Sequence, residues 1–460
     1  MTERVEIEPT AGTGAQAGDL PPSRWRRFMP EGSIARYVAD ELAMDSPALD
    51  RWIPIFLFGI ALFVYAWLNH HRTAGLNYFV PLADAFLHGR LGLTSAPSYL
   101  NEVIPSATGL FYVVYPPVPA LVVLPEVLLF GPGFHQEWAS IALGAANVAL
   151  VFWIATGMGA RRRFALALSL VFGFGTIVWF SAQVGTSWHF AHVVALFFML
   201  LAIRACQLDA PTALIGLLFA GAFLSRLPMA LALPFFLAYL AHRSARERSQ
   251  ASEAFGTLTP ATVRAERWAI DPRRFVRLAV PMALGIGIPL AAYLLYNQLR
   301  FGSYAENGYA LIPGLLQEAQ YRHGFFSVYN IPRQLYAMFL AAPVQVAGFP
   351  WVQSRALGGL SILLTSPIFL WAIRARRLDW FGLGTWLSIA LILIPNLTHA
   401  DPGGIQFGYR YAQDIYPFLL LLTARGLAGR VGFESGLAIA IGFVVNLWGM
   451  GSTYYDWWNH

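Results

Sequence analysis

The sequence predicts an all-α polytopic membrane protein. Of its 460 residues, 57% are hydrophobic and only 12% are charged, and the mean hydropathy is +0.52. Soluble chains carry about a quarter charged residues. Roughly a dozen apolar runs approach the ~20 residues that a helix needs to cross a ~30 Å hydrocarbon core. These observations exclude a soluble enzyme and a disordered scaffold, and they favour helical spans over a barrel.

The first 50 residues are polar and contain neither the apolar core nor the cleavage site of a signal peptide. They predict a cytoplasmic tail (1–50), followed by a signal anchor at 52–69 and a membrane domain over 51–460. Further candidate spans are 117–130, 138–157, 165–182, 190–206, 213–241, 278–296, 357–373, 380–395, 415–423 and 431–450. We expect about 11–12 crossings in all. Arg226 and Pro228 interrupt 213–241, which we interpret as one kinked crossing or a partly re-entrant element. We interpret 335–352 as a re-entrant or surface element.

The distribution of arginine predicts the sides of the membrane. All 31 basic residues are Arg, and eight of them lie in the loop 242–277. The positive-inside rule places this loop in the cytoplasm, together with the basic residues around 374–377 and 425–430. Alternation then places the loops 70–115, 298–355 and 398–414 on the opposite face. One conflict remains, because the triplet 161–163 falls on the outer side if every apolar run crosses once.

Two compositional absences limit the chemistry. Without Lys, the chain can form no Schiff base and no P-loop of the usual kind, so Arg, backbone or metal would have to hold any phosphate. Cys206, the single cysteine, excludes both an intramolecular disulfide and a cysteine-based metal cluster. The basic charge is typical of cytoplasmic loops in a membrane protein, and we predict no nucleic-acid partner.

The first outer loop contains a predicted amphipathic helix and two acids. Apolar residues recur at helical spacing between 77 and 91, which predicts a helix along the membrane surface. Asp84 lies off this stripe, and Glu102 precedes the prolines 116–117; no other carboxylate lies in this loop. An acid at the interface could accept a proton from a hydroxyl group while a prenyl tail lies in the bilayer. An exposed surface charge is an equally good interpretation of either acid alone.

The second and third outer loops supply candidate phosphate ligands. Arg300, Arg322 and Arg410 could each bind phosphate through paired hydrogen bonds, although anchoring to lipid headgroups is the alternative. Arg410 and Asp414 are four residues apart, so on a helix they would face one another as an ion pair.

One further pair of side chains could suggest a metal. His189 and His192 lie one helical turn apart, but the sequence nearby supplies no third ligand. An interfacial cluster of Trp and His is the favoured interpretation. A divalent metal ion would be compatible with the predicted chemistry but is not required by it.

Several segments carry a resemblance to a known family. In order these are YFVPLADAFLHGRL, YVVYPPVPALVVLP with an acid shortly before it, YNQLRFGSYAENGY and QFGYRYAQDIYPF. Over about residues 52–417 the chain resembles the GT-C superfamily of integral membrane glycosyltransferases, distantly similar to the protein O-mannosyltransferases and the lipid A aminoarabinose transferase. The resemblance implies a GT-C-like helix bundle, a polyprenyl-phosphate sugar as donor, an active site on the non-cytoplasmic face, and an acid of the first outer loop as base.

The chain departs from the family pattern at one place. Many relatives carry an acid soon after the first span, where this chain has Leu76, Asn77 and Tyr78. Glu102 is therefore our first choice of catalytic base and Asp84 the second. The residues expected to contact substrate are Tyr78, His88, Tyr309, His323 and Tyr409.

The predicted function is inverting transfer of a sugar to an acceptor hydroxyl at the periplasmic face of a bacterial inner membrane. Arg300 and Arg410 would stabilise the departing phosphate. A transporter or flippase of lipid-linked glycans without chemistry is the main alternative. A ligase that joins whole lipid-linked glycans is a third reading. The sequence does not identify the sugar, the acceptor or the oligomeric state.

Overall fold

The structure is a computed structural model, and it describes residues 47–69, 76–96, 100, 102–245, 270–348, 351–354, 358–376, 379–404 and 406–451. Nearly all of the predicted cytoplasmic tail (1–50) and most of the basic loop (242–277) lie outside the described residues. Within them the regular structure is helical, apart from two short antiparallel hairpins.

The α-helices are α1 (Pro47–Trp67), α2 (Phe79–Leu87), α3 (Val118–Val122), α4 (Leu124–Phe130), α5 (Gln136–Gly157), α6 (Arg162–Phe174), α7 (Val178–Val184), α8 (Ser187–Gln207), α9 (Thr212–Phe223), α10 (Leu233–Arg243), α11 (Pro272–Phe301), α12 (Ile331–Leu335), α13 (Ile362–Thr365), α14 (Trp380–Thr398), α15 (Tyr416–Leu427) and α16 (Phe433–Gly449). The strands are β1 (Val103–Pro105) paired with β2 (Phe111–Val113), and β3 (Val344–Gln345) paired with β4 (Val352–Gln353). Short 3₁₀ segments lie at Leu227–Ala232, Tyr309–Leu311, Leu315–Gln317, Ala319–Tyr321, Val328–Asn330, Pro367–Arg374 and Arg410–Ile415, and a π turn at Tyr336–Leu340.

Among the described residues, four helices are long and apolar enough to cross a membrane, namely α5, α8, α11 and α14. The pair α6 and α7, bent by 53°, adds a fifth if it is one broken span. The prediction of a helical membrane protein is confirmed at this level. The total of 11–12 crossings remains a prediction, since the apolar helical segments Arg51–Trp67, Thr212–Phe223, Leu227–Arg243 and Phe433–Gly449 are shorter.

Several helix ends meet at one end of the bundle, which we call the arginine end. Gln207 Nε2 donates to Ile154 O at 2.9 Å, and this joins the last turns of α8 and α5. Arg243, at the end of α10, donates to Asp209 O at 3.0 Å. The His242 ring stacks on Trp380 with centroids 4.8 Å apart, which brings the start of α14 to the same place.

The segment 117–130, predicted to be a span, does not form one helix. It breaks into α3 and α4, which pack against α2. Pro117, Pro119 and Pro125 lie at or just inside the starts of these two helices, where proline is tolerated. With this crossing removed, the triplet 161–163 follows the end of α5 and lies at the arginine end. The predicted conflict over this triplet therefore disappears.

The segment 213–241 was predicted to be one kinked crossing or a partly re-entrant element, and the single crossing is wrong. Helix α9 starts close to Asp209, the chain breaks at Arg226, and α10 returns so that Tyr239 donates to Asp209 Oδ1 at 3.1 Å. The apolar run is therefore two antiparallel helices joined by a 3₁₀ segment. Its break lies at the other end of the bundle.

The first outer loop builds a small cap with its own apolar core. Helix α2 buries its apolar face, including Phe79, Leu82 and Ala83, against β1, β2, α3 and α4. The stripe predicted to face the membrane surface thus packs against protein. Asn77 Oδ1 accepts from Val80 N at 3.1 Å and caps the start of this helix.

Candidate functional site

Helix α8 begins directly after a sharp turn that aims its first residues at the cap. Gly185 ends α7 with φ +59°, and a Cβ there would lie 2.6 Å from Glu137 Cα. Only glycine fits such a left-handed, crowded position without strain. Gln136 Nε2 holds the turn by donating to Gly185 O. This fixed turn places Trp188 on the first turn of α8, facing the outer loops.

Glu102 is held between this helix and the cap. Trp188 Nε1 donates to Glu102 Oε2 at 2.8 Å, and the Glu102 backbone N donates to Tyr78 Oη at 3.2 Å. Glu102 immediately precedes β1, whose pairing with β2 fixes the backbone there. The carboxyl group of Glu102 is thus positioned by two aromatic side chains, one from the cap and one from the bundle.

The environment of Glu102 favours its protonated form. Burial raises the pKa of this carboxyl group to about 7, against the opposing effects of the Trp188 hydrogen bond and the Arg410 charge. Burial, reinforced by the charge of Glu102, also raises the pKa of the Tyr309 hydroxyl well above its usual value. A carboxyl group that titrates near neutrality can accept or donate a proton at working pH.

Arg410 approaches the same tryptophan from the third outer loop. Its guanidinium carbon lies 5.8 Å from the Trp188 ring centroid and 5.2 Å from that of Tyr411. In the described part of the chain, no carboxylate lies within ion-pair distance of this guanidinium. The arrangement presents a buried, stacked cation that retains its capacity to bind an anion.

The predicted pair between Arg410 and Asp414 does not form. Residues 410–415 are a 3₁₀ segment, in which side chains three apart, rather than four apart, lie on the same face. Asp414 instead accepts from Arg226 Nε at 3.3 Å and from Arg226 Nη2 at 3.0 Å. His192 Nδ1 lies 3.0 Å from Asp414 Oδ1. The carboxylate is fully buried by these partners.

The third outer loop contacts the second outer loop through a backbone hydrogen bond, and its aromatic rings pack on one another. Ala400 N donates to Phe325 O at 2.7 Å. The His399 ring packs on Tyr411 with centroids 5.5 Å apart, and its Nδ1 lies 2.8 Å from Asp401 O. Burial lowers the pKa of His399. Neutral imidazole therefore lines this side of the site.

Arg300 is not free to bind a phosphate. Its guanidinium donates to Val113 O, to Tyr296 O at 3.3 Å and to Asn297 Oδ1 at 3.0 Å, and it lies 3.6 Å above the Tyr296 ring. The side chain joins the end of α11 to β2. Arg300 is therefore a weaker candidate for a phosphate ligand than Arg410, because the side chain is buried and three of its five N–H groups already donate within the fold.

The other predicted residues lie around the site or away from it. Asp84 lies 3.6 Å from Arg90 and 3.5 Å from His88 in a local surface cluster. Arg322 and His323 are exposed and contact each other, with Arg322 Nε 3.1 Å from His323 Nε2.

Two of the predicted tyrosines have supporting positions instead. Tyr409 is buried, and its hydroxyl donates to Gln334 Oε1 at 2.9 Å. Tyr78 is buried beneath Glu102 and accepts its backbone N–H. Tyr309, in contrast, lies beside the site: its ring packs on Tyr115, which in turn packs on Tyr78.

The remaining site residues have only weak signals in the sequence. Trp188 was visible only as part of a cluster of Trp and His, and Arg226 only as an interruption of a span. For metal, no group of three His, Cys, Asp or Glu side chains in the described ranges is arranged to hold an ion. Comparison with protein-family models, with curated proteins and with solved structures finds no match to this chain.

Proposed function

We propose that this chain is an inverting glycosyltransferase that moves a sugar from a polyprenyl-phosphate donor to an acceptor hydroxyl. One observation carries the proposal: the Glu102 carboxyl group and the Arg410 guanidinium meet the same Trp188 ring. A proton acceptor that titrates near pH 7 and a stacked cation are thus brought together from two outer loops. These are the two groups that attack by a hydroxyl and departure of a phosphate require.

The reaction assigns one role to each group. Glu102 takes the proton of the acceptor hydroxyl as its oxygen attacks C1 of the sugar from the face opposite the phosphate. The bond between C1 and the phosphate oxygen breaks, and its electron pair leaves with the polyprenyl phosphate. Arg410 stabilises the charge that develops on the phosphate. Asp84, as second choice of base, lies in its own ion-pair cluster, which makes Glu102 the better candidate.

The setting of the site supports a lipid-linked donor. Glu102, Trp188 and Arg410 lie at the end of an apolar bundle opposite the arginine end. Together with the segments that resemble the GT-C superfamily, this supports a GT-C-like bundle with its site at the periplasmic face of a bacterial inner membrane. A tail in the bilayer and a sugar beneath the cap would meet at this level.

The test is sugar release from a radiolabelled prenyl-phosphate sugar by the purified protein. Glu102→Gln should reduce transfer by roughly 10²–10⁴-fold, while Asp84→Asn, the matched control in the same loop, should retain it. Folding is checked by gel filtration of both variants. A protein that releases no sugar but moves the lipid across reconstituted vesicles would be a flippase, and the transferase proposal would then be abandoned.

A further inference from the structure

A helical run in the second outer loop has an inverted distribution of polar and apolar side chains. It comprises the 3₁₀ segment Val328–Asn330, α12 and the π turn Tyr336–Leu340, and we call it the inverted helix. At 1.5 Å per residue its 13 residues extend about 20 Å. It is too short to cross a ~30 Å hydrocarbon core.

Two polar residues of the inverted helix, Asn330 and Gln334, point into the protein. Gln334 is fully buried and Asn330 is nearly so, whereas Tyr329 is 73% exposed and Leu340 is 68% exposed. The other exposed apolar side chains of the run are Val328, Leu335, Tyr336 and Phe339. In water a surface helix shows the reverse pattern, with apolar residues inside.

Hydrogen bonds prevent the inverted helix from rotating its apolar face inward. Gln334 Nε2 donates to His399 O at 2.7 Å, and its Oε1 accepts from Tyr409 Oη at 2.9 Å. Asn330 Nδ2 donates to Thr398 O at 2.9 Å. Rotation would break all three bonds, which are buried or partly buried and therefore costly to leave unmade. The apolar face is therefore fixed outward.

The surroundings of this face indicate what covers it. Helix α12 packs against α14, a candidate span whose Ile394 is 56% exposed near the same end, so both of these packed helices carry exposed apolar side chains. The exposed Arg322 and His323 precede the run, the exposed Arg333 lies within it, and the His323 ring stacks on Tyr329 at 4.6 Å. Cations and tyrosines beside an apolar surface are typical of a lipid interface.

We propose that the inverted helix is inserted in the hydrocarbon of the bilayer leaflet at the site end, where it forms the wall along which a lipid chain reaches Arg410. A series of ring contacts leads inward from this wall. Phe326 packs on His399 at 5.7 Å, His399 on Tyr411 at 5.5 Å, and Arg410 lies 5.2 Å from Tyr411. The role in donor access rests on the proposed transferase function, but the insertion does not.

Insertion is tested by spin labelling in lipid nanodiscs. The only native thiol, Cys206, is buried, so unsubstituted protein should give no label signal. Leu340→Cys is compared with Ile288→Cys on α11, which is exposed on a candidate span, and with Glu318→Cys, an exposed acid of the same loop. Oxygen concentrates in hydrocarbon, whereas a nickel chelate stays in water. The ratio of oxygen to nickel accessibility at 340 should match position 288 and exceed that at 318 by roughly threefold.

Two results would overturn the insertion. A ratio at 340 equal to that at 318 would place the helix in water. Loss of access to both reagents, with dipolar broadening, would show a second copy of the chain on this face.

The role in donor access needs a separate measurement. Leu340→Gln should raise the KM for a long-chain prenyl-phosphate sugar by about tenfold, equivalent to about 1.4 kcal/mol, and leave the KM for a short-chain donor unchanged. Equal effects on both donors would remove the wall from donor access. If no donor is turned over by any variant, the transferase proposal fails while the accessibility ratio still decides the insertion.

Discussion

At the scale of single residues, the pH has opposite effects on the two roles of Glu102, which are to stabilise the fold and to act as a base. Burial raises its pKa to about 7, so the folded protein keeps a proton that an unfolded chain releases near 4.5. The stabilising effect of this retained proton is present at low pH and is lost as the pH rises toward 7. The group is thus most useful as a base where it stabilises the fold least.

A pH profile follows from this titration. Because only ionised Glu102 accepts a proton, kcat/KM should rise about tenfold per pH unit below pH 7 and level off above it. The Glu102→Gln variant should unfold at a higher temperature than the parent at pH 8, with the difference shrinking toward pH 4.5. A flat activity profile between pH 5 and 8 would contradict the assignment of Glu102 as base.

Arg410 and Arg300 have different roles: we expect Arg410 to bind the phosphate and Arg300 to stabilise the fold. Arg410→Gln removes the stacked cation and should lower kcat by roughly 10²–10³-fold with little change in thermal unfolding. Arg300→Gln leaves Val113 O and Asn297 Oδ1 without their donor, so we expect a lower unfolding temperature. The kcat per folded molecule of this second variant should fall less than tenfold. A reversal of these two patterns would restore Arg300 as the phosphate ligand.

At the scale of elements, apolar run length predicted most helices but not their connectivity. The run 190–206 became α8 and 380–395 became α14, with ends displaced by only a few residues. The predictions of a single span for 117–130 and 213–241 were wrong for one reason: length and hydropathy do not reveal whether a chain turns back on itself. Proline positions in the first run and Arg226 in the second carried that information.

The ion pair between Arg226 and Asp414 joins the break at Arg226 to the 3₁₀ segment 410–415. We expect each of these two elements to be less stable without the other. Asp414→Asn would leave the largely buried Arg226 without its counter-charge, which should destabilise the fold by roughly 3–5 kcal/mol. The double variant Arg226→Gln with Asp414→Asn should recover part of this loss, because neither charge is left unpaired. Glu434→Gln, which removes an exposed partner of Arg374, is the control and should change stability by less than about 1 kcal/mol. These changes are measured by thermal unfolding in detergent, and additive effects of the two single variants would contradict the coupling.

At the scale of the whole molecule, the two ends of the bundle differ in chemistry. Helix ends rich in Arg gather at one end, and the outer loops with Glu102 and Arg410 gather at the other. The local pattern of the sequence indicated Glu102 and Arg410 because acids and Arg are scarce in these loops. It could not indicate the contacts of Trp188 and Arg226, since their partners lie 86 and 188 residues away.

The sidedness can be measured with a membrane-impermeant maleimide. Arg161→Cys at the arginine end and Glu318→Cys in the second outer loop should react from opposite sides of sealed, oriented vesicles. The reason is that 117–130 does not cross, so the triplet 161–163 lies opposite the loops. Labelling of both positions from one side would restore the crossing at 117–130.

The ion pair between Arg226 and Asp414 also constrains how the protein is made. A ribosome delivers Arg226 long before Asp414, so the turn between α9 and α10 enters the membrane with an unmatched guanidinium. This charge must stay hydrated, or be shielded by the insertion machinery, until Asp414 reaches it. Chains truncated before that loop should consequently be retained by the machinery and degraded, even though every earlier helix is intact.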